Sequence, residues 1–156
     1  MQKIAIITVG KLKEKWWQEA QLEYVKRLKP IFKLEIVEVP PEPTSNTVSA
    51  SASMKAEGKR ILKRLSDDAF VIALERSGEE FDSPKLAAKL AEIGSRGDAL
   101  TLVIGGSEGI DSAVLSRVDL KWSLSRLTFI HEMARVILLE QLYRSHCIMS
   151  GKKYHK

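Results

Sequence analysis

Apolar positions along the chain follow two periods that take turns. Lys3 to Val9 (Lys-Ile-Ala-Ile-Ile-Thr-Val) is a near-continuous apolar, β-branched run closed by Gly10, the pattern of a strand covered on both faces. From Glu14 to Lys29 the period changes. Trp17, Leu22, Val25 and Leu28 recur at helical spacing among charges until Pro30, so an amphipathic helix with those residues inward is predicted. Trp16 and Trp17 would point about 100° apart on such a helix, and one of them is expected in the core. Leu34 to Val39 alternates in part, which suits an edge strand. Pro40 to Ser53 holds three prolines and a Ser/Ala/Thr tract and reads as a mobile loop. Met54 to Leu65 is a helix with Ile61, Leu62 and Leu65 inward and Lys55, Lys59, Lys63 and Arg64 outward.

The same alternation continues to the end of the chain. Ala69 to Leu74 is a buried strand, with a turn expected over Glu75-Arg76-Ser77-Gly78. Ser83 is read as an N-cap with Pro84 at the first helical position, and Leu86, Leu90 and Ile93 mark one face of the helix up to Gly94. Leu100 to Ile104 is the next strand. A helical turn capped by Asp111 runs to Val118, a short strand spans Leu120 to Leu124, and the last helix runs from His131 to Ser145. That helix is apolar almost all round, which predicts burial against a partner subunit as well as the sheet, with a homodimer as the default arrangement. Strands alternating with helices predict an α/β fold on a mostly parallel sheet, in one domain over 1–156.

Two stretches carry candidate chemistry. After Ile104 comes Gly105-Gly106-Ser107-Glu108-Gly109, where the backbone can approach a ligand at the carboxyl end of a buried strand. Ser125-Arg126-Leu127-Thr128-Phe129-Ile130 mixes hydroxyls with large apolar groups, as a loop wrapping a part-polar ligand would. The glycines do not match the dinucleotide fingerprint, and no Lys-Ser or Lys-Thr follows as a phosphate-binding loop needs. No Gly-x-Ser-x-Gly elbow is present, and His131, His146, His155 and Cys147 show no zinc spacing, so no metal is expected.

Composition adds a little. A net charge of +5 leans toward a polyanionic partner, although the cations are interleaved with 20 acidic residues. One cysteine allows no internal disulfide, and no long apolar segment or signal peptide is seen, so a cytoplasmic protein without membrane contact is expected.

Ile-Ile-Thr-Val-Gly-Lys-Leu-Lys near the start, Val-Ile-Gly-Gly-Ser-Glu-Gly, Leu-Ser-Arg-Leu-Thr-Phe, Leu-Leu-Glu-Gln-Leu-Tyr-Arg and a terminal Tyr-His-Lys stand in an order that resembles the RlmH family over essentially the whole chain. That family comprises the small SPOUT-class methyltransferases of the bacterial ribosome. The resemblance implies a trefoil-knotted α/β fold, a homodimer, and S-adenosylmethionine as methyl donor. Its reaction would be methylation at N3 of a pseudouridine in a stem-loop of 23S ribosomal RNA on the assembled ribosome, with no role for DNA. Carried over to this chain, the cofactor would lie against Leu74, Gly106 and the loop Ser125, Arg126, Leu127, Thr128, Phe129 and Ile130. His155 or Tyr154 would stand near the target base, and Arg135 and Arg144 would bind phosphate or ease deprotonation. Ile130 replaces the proline that relatives usually carry before the histidine, which frees φ and adds an N-H donor. Two other readings stay open at this level: a related enzyme acting on another RNA such as transfer RNA, and a non-catalytic ribosome-binding module.

Overall fold

Five parallel strands and five helices alternate along residues 1–155, the part of the chain that the computed structural model describes. Lys156, the last residue of the terminal Tyr-His-Lys, lies outside the described residues. The strands are β1 (Lys3–Val9), β2 (Lys33–Val39), β3 (Ala69–Glu80), β4 (Ala99–Ile104) and β5 (Leu120–Ser123). The helices are α1 (Lys15–Leu28), α2 (Ala50–Leu62), α3 (Ser83–Ser95), α4 (Ser112–Leu115) and α5 (His131–Met149). The sheet runs in the order β2-β1-β4-β3-β5, so β2 is an edge, as its alternation predicts, and β1, β4 and β3 are central.

Side chains of the central strands alternate between two cores, because successive residues of a strand face opposite sides. Ile4, Ile6, Leu100, Leu102, Ile104 and Ile72 pack with Leu28 of α1, Leu86, Leu90 and Ile93 of α3, and Leu138, Leu139 and Leu142 of α5. Ile7, Val9, Val71, Ala73 and Val103 face the other way, toward Ile61 of α2 and Val114 of α4. Because every strand is parallel, all five carboxyl ends open onto one edge of the sheet. That edge is where the glycine loop and the segments after β1, β3 and β5 meet.

Several local expectations are corrected. Leu22 is 67% exposed, because the buried face of α1 runs through Trp17, Gln21, Tyr24, Val25 and Leu28 instead. Trp17 is the half-buried member of the tryptophan pair, and Trp16 is exposed. The Ser/Ala tract does not stay in the loop: Ser49 accepts from the Ala52 N-H as an N-cap, and the helix begins at Ala50, four residues ahead of Met54. The cap of α3 is Asp82, whose carboxylate accepts from Lys85 N at 2.8 Å, and Ser83 is the first helical residue. Glu75 to Gly78 is no simple turn. β3 pairs with β5 as far as Leu74 opposite Trp122, leaves, and returns with Glu79 opposite the same Trp122 and Glu80 opposite Ser123. The final helix runs four residues beyond Ser145, to Met149.

Candidate functional site

The glycine loop owes its shape to contacts that only glycine allows. Gly109 donates to the Gly106 carbonyl at 3.1 Å and sits at φ +98, which closes Gly106-Ser107-Glu108-Gly109 into a tight turn. A Cβ on Gly105 would lie 2.8 Å from the Gly109 carbonyl oxygen and 2.7 Å from Ile110 Cγ1. One on Gly106 would lie 2.7 Å from Oε2 of the buried Glu57, whose other oxygen accepts from Glu42 N at 3.0 Å. The loop is thus closed on itself, backed by α2, and bare of side chains where it meets the cavity.

That cavity, about 740 Å³, opens at the carboxyl edge of the sheet. Of the residues expected to hold a cofactor, Leu74, Gly106, Ser125, Leu127, Thr128, Phe129 and Ile130 line it. Arg126 does not; it points to solvent at 93% side-chain exposure, with Glu80 at 3.4 Å. Ser125 organises its loop by accepting from Leu127 N through its hydroxyl at 3.1 Å and from Ser123 Oγ through its carbonyl at 3.0 Å. Arg76 closes the wall by donating to Thr128 Oγ1 at 2.7 Å.

The sequence reading missed Glu75, Arg76, His131 and Glu132 as lining residues. The first two lie in the detour of β3, which has no signature in hydrophobic period. The other two open α5, and their signal was position: a helix start directly after a ligand loop. Ile130 is the N-cap of α5 at φ −61, ψ 147, so isoleucine here holds a φ that proline would impose.

Of the four expected catalytic residues, Arg144 and Tyr154 meet over Glu140, and Arg135 is engaged elsewhere. Arg135 is wholly buried. Its Nη1 donates to Glu38 at 2.7 Å and Gln21 at 3.3 Å, and its Nη2 donates to Thr8 Oγ1 at 3.1 Å and the Gly10 carbonyl at 2.9 Å. A guanidinium held this way cannot reach a phosphate in solvent; it fastens the first turns of α5 to the end of β1. Arg144 is engaged as well, donating to Glu140 at 3.0 and 2.5 Å with its guanidinium 4.8 Å from the Tyr154 ring centre.

Tyr154 packs edge-on against Tyr143 and donates to Glu140 at 3.3 Å. Burial first, then its hydrogen bond with Tyr24, pushes its phenol up to about 12, so it keeps its proton near neutral pH and cannot serve as a base there. His155 is exposed and lines a second cavity of about 610 Å³, with Ser83 and Gln141 on its wall. Trp122 and Leu124 belong to both cavities, so the two adjoin.

The arrangement suits a ligand with one flat apolar part and one polar part. Leu74, Leu127 and Ile130 supply apolar surface, the glycine loop supplies bare backbone, and Glu75 and Glu132 supply negative charge that favours a cationic group.

Comparison with known proteins gives a consistent match over the same length. The family described as "Predicted SPOUT methyltransferase" matches residues 2–155. The chain is 49% identical to the ribosomal RNA large subunit methyltransferase H of Bifidobacterium adolescentis, over 99% of each chain. It is 47% identical to the protein of that name in Symbiobacterium thermophilum, again over 99% of each, and 46% identical to that of Clostridium tetani, over 98% of this chain and 99% of the relative.

Proposed function

We propose that this chain, which belongs to the SPOUT methyltransferase family, is an S-adenosylmethionine-dependent ribosomal RNA methyltransferase acting at N3 of a pseudouridine in 23S RNA on the assembled ribosome. The observation that carries the reading is the cavity of bare glycine backbone and apolar loop at the carboxyl edge, in a chain nearly half identical to enzymes of that name over full length.

The cavity fits the cofactor: Leu74, Leu127 and Ile130 would enclose the adenine, backbone groups of Gly106 and the 125–130 loop would take the polar edges, and Glu75 and Glu132 would face its cationic part. When bound, S-adenosylmethionine supplies a methyl group on a sulfonium, an excellent leaving group. The chain's own task is then to place the base in line and to take the N3 proton. We assign that proton to the His155 imidazole, because Tyr154 holds its own. Arg144 and Glu140 clasp Tyr154 and so set the direction of the backbone that leads into His155.

A homodimer working in the cytoplasm completes the proposal. Trp16 and Leu22 on α1 and Met133 on α5 are apolar and exposed, surface that a second copy would cover. Sedimentation of the purified chain should give twice the 17.5 kDa monomer mass across a dilution series; a monomer throughout would overturn this part.

The activity is tested by transfer of labelled methyl from S-adenosylmethionine to undermethylated ribosomes, beside free 23S RNA, transfer RNA and ribosomes lacking pseudouridine. Label on pseudouridine-containing ribosomes alone is the expected result. Label on transfer RNA, or on ribosomes irrespective of pseudouridine, would contradict the assigned substrate.

A further inference from the structure

The Gly10-Lys11-Leu12-Lys13 segment after β1 takes no part in lining the cavity, yet it is firmly held at that edge. Gly10, at φ +82, donates to the Val39 carbonyl at 2.9 Å, and its own carbonyl accepts from buried Arg135 at 2.9 Å. Leu12 is 6% exposed, and its carbonyl accepts from Gln18 Nε2 at 2.8 Å. With Leu12 plugged into the core, Lys11 and Lys13 on either side of it face solvent.

Neither lysine has an acidic partner within ion-pair distance among the described residues. Neighbouring cations are engaged: Lys15 with Glu19 at 3.7 Å, and Arg135 with Glu38 at 2.7 Å. The turn also stands on the rim of the cavity. β1 lies beside β4 in parallel register, so Gly10 and the glycine loop share one edge, and a Cβ on Gly10 would be 3.9 Å from Nε2 of His131, a cavity-lining residue.

We propose that the turn after β1 is a phosphate clamp, in which Lys11 and Lys13 bind backbone phosphates of the RNA that carries the target base. The proposal rests on the ribosomal RNA reading above. Two unpaired ammonium groups on a segment already fixed from beneath meet a phosphate without further ordering of the backbone, and each contact releases counterions from the RNA. The cavity wall carries Glu75 and Glu132 along with Arg76, which is engaged with Thr128, while the rim carries two cations with no acidic partner, so the free positive charge lies outside the cavity where a polyanion would approach.

The test compares two double variants of equal charge change, Lys11→Gln with Lys13→Gln, and Lys29→Gln with Lys33→Gln, the latter at the opposite edge where β2 begins. KM for ribosomes is measured across a salt series, with cofactor affinity measured separately by calorimetry. For the first variant the slope of log KM against log salt should fall by about 1.5, two contacts at roughly 0.7 to 0.9 each, with the loss in KM and cofactor affinity unchanged. Lys11→Arg with Lys13→Arg should restore the slope, and the second variant should keep it. Equal slopes in the wild type and the first variant, an equal fall in both variants, or a change in cofactor affinity or oligomeric state would overturn the clamp. If the wild type itself transferred no methyl to ribosomes, the underlying substrate reading would fall first, which is a different result.

Discussion

At the scale of single residues, backbone conformation decides more than side-chain identity. Ile130 departs from the proline expected before the last helix, yet its φ of −61 lies inside the range a proline ring enforces. Replacing it with proline therefore restricts only the unfolded chain. Ile130→Pro should raise stability by about 0.4–1 kcal/mol in denaturant unfolding. A destabilised variant would mean that the Ile130 N-H or side chain matters in a way the geometry does not show. Gly105 and Gly106 were legible in the sequence as a close-approach loop, and the space around them supplies the reason. Arg135 was expected to bind phosphate or ease deprotonation, and instead it is wholly buried. Its burial depends on Thr8, Gly10, Gln21 and Glu38, and no local pattern links those four positions to it.

Among the elements, those with a strong period were readable to within a residue or two: β1, α1, β4 and the capped start of α4. The detour of β3 was not readable, because Glu75 to Gly78 is polar and looks like a turn, while its course is set by β5 more than 40 residues later. The crossing is tight at Gly78, where a Cβ would lie 2.5 Å from the backbone carbon and oxygen of Lys121. Gly78→Ala should push β3 off β5 and destabilise the protein by about 1–3 kcal/mol in denaturant unfolding, the usual scale of overpacking. An unchanged midpoint would show that the strands part there without cost. α2 makes a similar point from the other side of the sheet. Its first turn looked like loop because serine and alanine carry no period, but Ser49 caps it and Glu57 and Gly58 then lean on the glycine loop and Asp111.

For the whole molecule, parallel strands gather the glycine loop, the β3 detour, the 125–130 loop and the Lys11 segment on one edge, so the cavity, its lining acids and the rim cations face the same way. The succession of strands and helices along the chain was legible from the sequence, unlike the order of the strands across the sheet. The strand order, the paired cavities and the clasped tail were not, because they arise from contacts between segments far apart in the chain. The central claim is that this cavity, shaped by its glycine loop, holds S-adenosylmethionine. Calorimetric titration of the cofactor into the wild type and Gly105→Ala, with thermal unfolding of both to confirm the fold, tests it most directly. One site per chain in the wild type, and at least tenfold weaker binding in a folded Gly105→Ala, is the result predicted. Equal affinity in the two proteins would contradict it, as would no binding to the wild type.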